Sequence, residues 1–326
     1  MSLRKAGLLD MVAVTLAIEL LLMNLTGFLA RKTKLVQKDF AAQLTSFLMK
    51  ICLPCLIFRS VSSSTVFSLA ALQESGIVIL IAAAVMLLSF LVGQVAYLLA
   101  RKSGFGRVLR FGLIFSHFSS MGIPVVQALF GDMGLFYYSF FLIPVRIAYY
   151  SFYEPLMTPV KSGSSGKKLG EIVKSSVTNP CLIAVAVGLV FWIAGWQLPT
   201  VLDYCVKSLS SIASPLSLLL CGMILGEYDV RKVLRVKYLV LPLLRTVAMP
   251  LLFLAVAALL RSLGIEEMIC RMTVIFTALP VASLLPVYAV RYDPDPENHL
   301  NAAGACFSSV LLSMVTIPIF YTFLAG

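Results

Sequence analysis

The chain has 326 residues, of which 60% are hydrophobic and only 13% charged, with a mean hydropathy of +0.97 and a formal charge of +11. Soluble domains carry about 25% charged residues, so this composition excludes an ordinary water-soluble protein and points to the bilayer. The apolar runs are long and continuous, which favours helices over the short alternating strands of a barrel.

A bilayer core needs about 20 apolar residues per helix. Segments of that kind lie near 8–30, 40–60, 75–100, 108–129, 133–158, 179–196, 204–226, 238–261, 268–290 and 302–324. The expectation is an all-α polytopic membrane protein with ten transmembrane helices. The first segment follows "LRK" but lacks a small-residue cleavage pattern, so it reads as a retained span rather than a signal peptide. It carries Glu19. The second, "MKICLPCLIF", holds Lys50, Pro54 and the pair Cys52 and Cys55. A redox CxxC belongs at an exposed helix start, and no second Cys or His cluster lies nearby in sequence. These read as packing cysteines, with no metal and no cofactor expected.

The connecting segments decide orientation. Assigned alternately to two sides, one side receives only Arg4, Lys5, Arg59, Lys207, Arg261 and Arg271. The other takes every remaining basic residue except Lys50, Arg146 and Arg245, which fall inside spans. The positive-inside rule places the crowded side in the cytoplasm, so both termini lie outside a multi-pass protein of the cell membrane. The basic residues orient the chain, and no nucleic-acid partner is expected.

The fourth span contains "FSHFSSMGIPVV", with Ser116, His117, Ser119, Ser120, Gly122 and Pro124 in a row. Proline removes a backbone donor and breaks a helix, and freed backbone groups are tolerated in lipid only where they line a cavity. Pro124 suits the first position of a new half-helix, and Gly122 permits unusual dihedrals. The ninth span, "TALPVASLLPVYA", repeats the device. There Thr277, Ala278 and Pro280 are expected to open a second half-helix, with Ser283 one turn in. Two broken helices would then aim two positive helix ends at one cavity, a natural seat for a carboxylate.

The fifth span adds Arg146 after Pro144. Two readings stand for it: a bidentate clamp on a carboxylate, or a structural pair with Glu19 or Glu154. His117 titrates near neutral pH and is a candidate for proton coupling, the competing view being a neutral hydrogen-bonded ring. Glu19 and Lys50 are the other coupling candidates, and pairing with each other is their plainer explanation. Arg245 and Arg271 receive no assignment.

"VKSGSSGKKLGEIVKSSV" near the chain midpoint reads as a flexible linker, 161–178. It divides residues 1–160 from 179–326, and prolines recur between the halves: Pro54 with Pro215, Pro124 with Pro280, Pro144 with Pro318. Five helices per half, an odd number, make the second half an inverted repeat of the first.

The stretches "SHFSSMGIPVVQALFGDMGLFYYSFFLIPVRI" and "ALPVASLLPVYAVRYDPDPENHLNAAGACFSSVLLSMVTIPI", with "ICLPCLIF" and "SPLSLLLCGMIL", resemble the auxin efflux carrier family of permeases. That family includes plant PIN-formed carriers and bacterial malonate and malate transporters. The resemblance covers nearly the whole chain. It implies ten helices in two inverted five-helix repeats, broken and crossing fourth and ninth helices, and a scaffold of the first, second, sixth and seventh helices where members dimerise. His117 stands where the family usually has asparagine, and Arg146 where it often has an uncharged polar residue. Both departures favour an acidic cargo and argue against auxin.

The resulting expectation is a secondary active carrier for small organic anions, mono- or dicarboxylates, working by alternating access as a homodimer. The alternative is a sodium- or proton-coupled antiporter or symporter of the same architecture with a different substrate, although no aspartate falls mid-span. Catalysis is disfavoured: Ser119 or Ser120 beside His117 lacks a third orienting group, and no Walker or HExxH motif occurs.

Overall fold

The structure is a computed structural model that describes residues 18, 21–37, 39–62, 69–100, 105–119, 121–157, 178, 180–227, 229 and 235–325. Glu19, Ser120 and all of the 161–178 linker but Thr178 lie outside the described residues. Among the described residues every regular element is helical. In chain order these are α1 (21–32), α2 (Phe40–Ser62), α3 (Leu69–Ala100), α4 (Gly106–Ile114), α5 (Gly122–Met157) and α6 (Pro180–Ala194). They continue with α7 (Thr200–Ser211), α8 (Ala213–Gly226), α9 (Val240–Ser262), α10 (Glu267–Ala278), α11 (Leu285–Tyr292) and α12 (Pro296–Ala325).

Among the described residues, six stretches are long and apolar enough to cross a membrane: Phe40–Ser62, Gln73–Ala100, Gly122–Tyr153, Thr200–Ile224, Val240–Ser262 and Pro296–Leu324. Of the ten segments in the sequence reading, four are missing from that set. The first lies partly outside the described residues and the sixth is the shorter apolar helix Pro180–Ala194, while the fourth and ninth are missing for a physical reason. Each is broken, into α4 and the start of α5, and into α10 and α11. Helix α5 is itself bent at Gly131, whose φ of 64° and ψ of −159° belong to a region open essentially to glycine alone. The helix kinks there, so Gly122–Tyr153 is two helical legs rather than one rod.

Prolines shape two further helices. Residues Leu48–Cys52 of α2 and Leu244–Ala248 of α9 form single π-turns, and Pro54 and Pro250 follow two residues after each. A proline cannot donate to the carbonyl one turn back, so the ladder widens locally, and such π-turns gather at functional sites. One carbonyl in the α2 π-turn, that of Met49, accepts a weak bond from the Cys181 thiol at 3.9 Å. Cys52 and Cys55 are free thiols.

Helix α1 crosses α8 at very short range. A Cβ on Gly222 would lie 1.9 Å from the Asn24 carbonyl oxygen, and one on Gly27 would lie 2.0 Å from that of Leu219. Small residues allow such backbone approach where lipid supplies no hydrophobic drive between helices. Buried residues of α4, α5, α10 and α12 fill the interior.

The basic end of the bundle is stapled by the "DPDPEN" segment. Arg107, at the start of α4, makes a two-pronged contact to Asp293, Nε to Oδ2 at 3.0 Å and Nη2 to Oδ1 at 2.8 Å. The Asn298 amide and the Asp295 N–H also donate to the Asp293 carboxylate, each at 3.0 Å. Burial alone would raise the Asp293 pKa, but the Arg107 and backbone bonds overcome it and hold the carboxyl below its ordinary value. A depressed folded pKa means the contribution to stability is complete above the ordinary carboxylate range and is lost as pH falls through the folded value. Breaking one partner of a buried pair costs about 3–5 kcal/mol. Asp293→Asn is therefore expected to lower the melting temperature at pH 7 by several degrees, with the gap to the parent closing towards pH 3. Thermal unfolding of the purified protein across that range checks it; a gap independent of pH would remove the ionised pair from the explanation.

Candidate functional site

The two interruptions touch. Helix α4 ends at Ile114, the chain runs extended through Phe115 (φ −109°, ψ 121°), and α5 begins at Gly122. Helix α10 ends at Ala278, and α11 begins at Leu285. Between these ends Ser116 and Val281 pair as an isolated antiparallel bridge. The His117 N–H donates to the Pro280 carbonyl at 2.8 Å, and the Ala282 N–H donates to the Phe115 carbonyl at 3.2 Å.

Backbone freed from a helix in lipid must find partners, and side chains of three other elements provide them. From the π-turn of α9, the wholly buried Arg245 donates through Nη1 to Leu113 O at 2.7 Å, through Nε to Leu279 O at 3.1 Å and through Nη2 to Phe276 O at 3.4 Å. It thus caps the C-terminal ends of both α4 and α10. Ser309 of α12 accepts the Val281 N–H at 3.1 Å. Tyr138 of α5 donates its hydroxyl to Phe118 O at 3.0 Å.

Four helix ends meet at this crossing, and the charges sort themselves. The C-terminal ends of α4 and α10 carry roughly half a negative charge each, which Arg245 offsets. The N-terminal ends of α5 and α11 carry roughly half a positive charge each. Residues leading into both of those ends, Ser116, His117 and Ser119 on one side and Ala282 and Ser283 on the other, line one cavity of about 300 Å³. Thr45 and Met49 of α2, Leu220 and Ile224 of α8, and Tyr149 and Tyr288 complete the wall, with Glu227 also lining it. Tyr149 and Tyr288 hold each other, hydroxyl to hydroxyl, at 3.2 Å. The buried hydroxyls of Ser116 and Ser119 have no hydrogen-bond partner among the described residues. A buried, unpartnered hydroxyl costs about 1–3 kcal/mol, and two of them stand on this one cavity wall.

Several sequence expectations are corrected here. The half-helix start assigned to Pro124 falls at Gly122, leaving Pro124 buried in the first turn of α5. Thr277 and Ala278 do not open a half-helix: they end α10, fully buried, with the Thr277 hydroxyl donating to Val274 O at 2.7 Å. Pro280 does not open one either. It lies in the extended crossing strand, and Pro286 occupies the first turn of α11 instead. The physical reason is length: residues 279–284 separate α10 from α11, so the helix restarts beyond Pro280. Arg146 does not line the cavity. It is 1% exposed, and its two Nη atoms have no partner among the described residues. Lys50 points from the α2 π-turn to the exposed face, away from the cavity.

Gly122 is required for close approach: a Cβ there would lie 2.4 Å from the Tyr138 hydroxyl and 2.9 Å from Leu279 Cδ1. That hydroxyl is fixed by its bond to Phe118, so the clash cannot be relieved by a free swing. Overpacking of this kind costs about 1–3 kcal/mol. Gly122→Ala is expected to lower the melting temperature by a few degrees, and the double change Gly122→Ala with Tyr138→Phe, which removes the clashing oxygen, to regain part of it. No recovery in the double variant would place the strain elsewhere.

Sequence reasoning missed Arg245, Thr45, Tyr149, Tyr288 and Pro286. Only Pro286 had a local signal, a second proline six residues after the first in "LPVASLLP".

Two comparisons bear on identity. An uncharacterized transporter from Methanothermobacter thermautotrophicus is 27% identical over 312 residues, covering 93% of this chain and 95% of the relative. A family model described as "Membrane transport protein" matches residues 12–321. With that match spanning nearly the entire sequence, the chain belongs to the membrane transport protein family, the auxin efflux carrier family that its motifs resemble.

Proposed function

We propose that this transporter is a secondary active carrier of small organic anions, mono- or dicarboxylates, working by alternating access in the cell membrane. The observation that carries the reading is the single cavity lined by the approaches to two positive helix ends, with two buried serine hydroxyls left to bond a guest. Its volume of about 300 Å³ sits at the small end of ligand pockets, which span about 300–1,000 Å³. The cavity lies towards the basic, cytoplasmic end of α2 and α8. Ten spans in two inverted halves, 1–160 and 179–326, joined by a cytoplasmic linker, with both termini outside and a homodimeric scaffold, complete the proposal. The proline correspondence and the mutual pairing of the two interruptions support it.

The test is exchange in proteoliposomes against a panel of labelled mono- and dicarboxylates. Saturable exchange of an acidic compound supports a carrier. Exchange of neutral compounds only, or flux without saturation, would overturn it.

A proton-coupled antiporter or symporter is the second reading, favoured by His117 on the cavity wall; sodium has no comparable support. The other titratable groups facing that cavity are Glu227, Tyr149 and Tyr288, with Arg31 3.7 Å from Glu227. His117→Asn is expected to change the pH profile of transport more than its maximum rate. Superimposable profiles in variant and parent would exclude His117 as the coupling group.

A further inference from the structure

A second cavity, of about 450 Å³, lies at the other end of the seam between α2, α8 and α5. Along α2 the first cavity is lined by Met49 and the second by Leu56; along α8 the respective residues are Leu220 and Ser214. Six or seven residues at 1.5 Å each separate the two by about 10 Å on both helices, in one common direction. The second cavity is polar where the first is aromatic. Arg59 and Lys207 line it, with Asp132 as the opposing charge, so its formal charge is positive by one. The hydroxyl of Ser60, 7% exposed and on the same wall, has no hydrogen-bond partner among the described residues. On the wall of this second cavity the Ser214 hydroxyl donates to the side-chain oxygen of Gln127 at 2.8 Å, tying α8 to α5 across the seam.

We propose that this second cavity is an anion-selecting vestibule on the extracytoplasmic side of the path, in which Arg59 and Lys207 gather carboxylates and Ser60 bonds them, with the Gln127–Ser214 bond as the gate towards the crossing. The proposal rests on the carrier reading above and deepens it by assigning a second site on the route. Two cations and a hydroxyl are the donors a carboxylate requires, and charge near a mouth raises the local concentration of opposite charge. The gate residues are neutral, so opening them exposes no bare ion to the low-dielectric seam.

The vestibule can be tested without knowing the cargo. Ser211 lines it and is exposed, so Ser211→Cys places a reactive thiol there with little disturbance. The full-length protein carrying this change is treated with two methanethiosulfonates of similar size, one bearing a sulfonate and one a trimethylammonium. Rates are read from the mass of the peptide containing position 211, which keeps native cysteines out of the measurement, and are corrected for each reagent's rate with a free thiol. The anionic reagent is expected to react at least tenfold faster than the cationic one. Adding Arg59→Gln and Lys207→Gln should bring the ratio within twofold of one. A ratio near or below one in the single variant, or a ratio unmoved by loss of the two cations, overturns the vestibule. Ligand protection at the crossing is a separate readout, so a chain that fails here and retains that protection loses the vestibule and keeps the carrier.

Discussion

Arg245→Leu is expected to be the most damaging single change in the protein. The leucine fills the volume but leaves the carbonyls of Leu113, Phe276 and Leu279 without their shared donor. At about 1–3 kcal/mol per unpaired buried group, the loss is roughly 3 kcal/mol or more, enough to lower the melting temperature by about 5 °C or beyond and to abolish transport. Arg245→Lys keeps a charge but has a compact head instead of a planar fork, so it should fall between the two. Thermal unfolding of the three proteins, with transport measured on each, checks the order. A leucine variant as stable as the parent would show that the crossing does not depend on this cap.

The second large effect is on binding, with the opposite consequence for stability. The Ser116 and Ser119 hydroxyls have no partner among the described residues, so Ser116→Ala with Ser119→Ala removes none of the hydrogen bonds described there and relieves two buried hydroxyls. The double variant should match or exceed the parent in melting temperature. Its affinity for whichever carboxylate stabilises the parent should fall by about 10- to 100-fold per lost bond, since each hydrogen bond to a charged group contributes about 1.5–3 kcal/mol. Ligand-induced shifts in melting temperature read both quantities at once. Unchanged affinity would take these hydroxyls out of the site, and a large loss of stability would mean they bond something inside the protein.

The sequence announced the interruptions because proline, glycine and serine act locally: each removes or redirects a backbone bond at its own position. "HFSSMGIP" and "TALPVAS" therefore stood out against apolar surroundings, and the structure brings Ser116 and Val281 into register. It could not say how much chain a crossing consumes, and for that reason the restart of the second half-helix was placed at Pro280 rather than next to Pro286. Long-range partners were silent for the same reason. Arg245 lies 132 residues from Leu113, and nothing in "LLRTVAMP" reveals that a π-turn will swing it onto two helix ends. Arg146 and Arg245 look alike in sequence, each an arginine in an apolar span near a proline. One proves to be a cap with three carbonyl partners, while the other is buried away from the cavity. Charge inside a span flags importance, but only the fold assigns the task.

The proposed function makes one mechanical claim: a single guest sits against both interruptions at once. Thiol protection measures this most directly, using Ser119→Cys and Ser283→Cys as separate single variants, because these positions border the cavity from the two opposite interruptions. Alkylation of each is followed while a carboxylate panel is titrated. The account predicts that an acidic compound protects both positions with the same half-saturating concentration. Protection confined to one position, or none from any carboxylate at either, would contradict it.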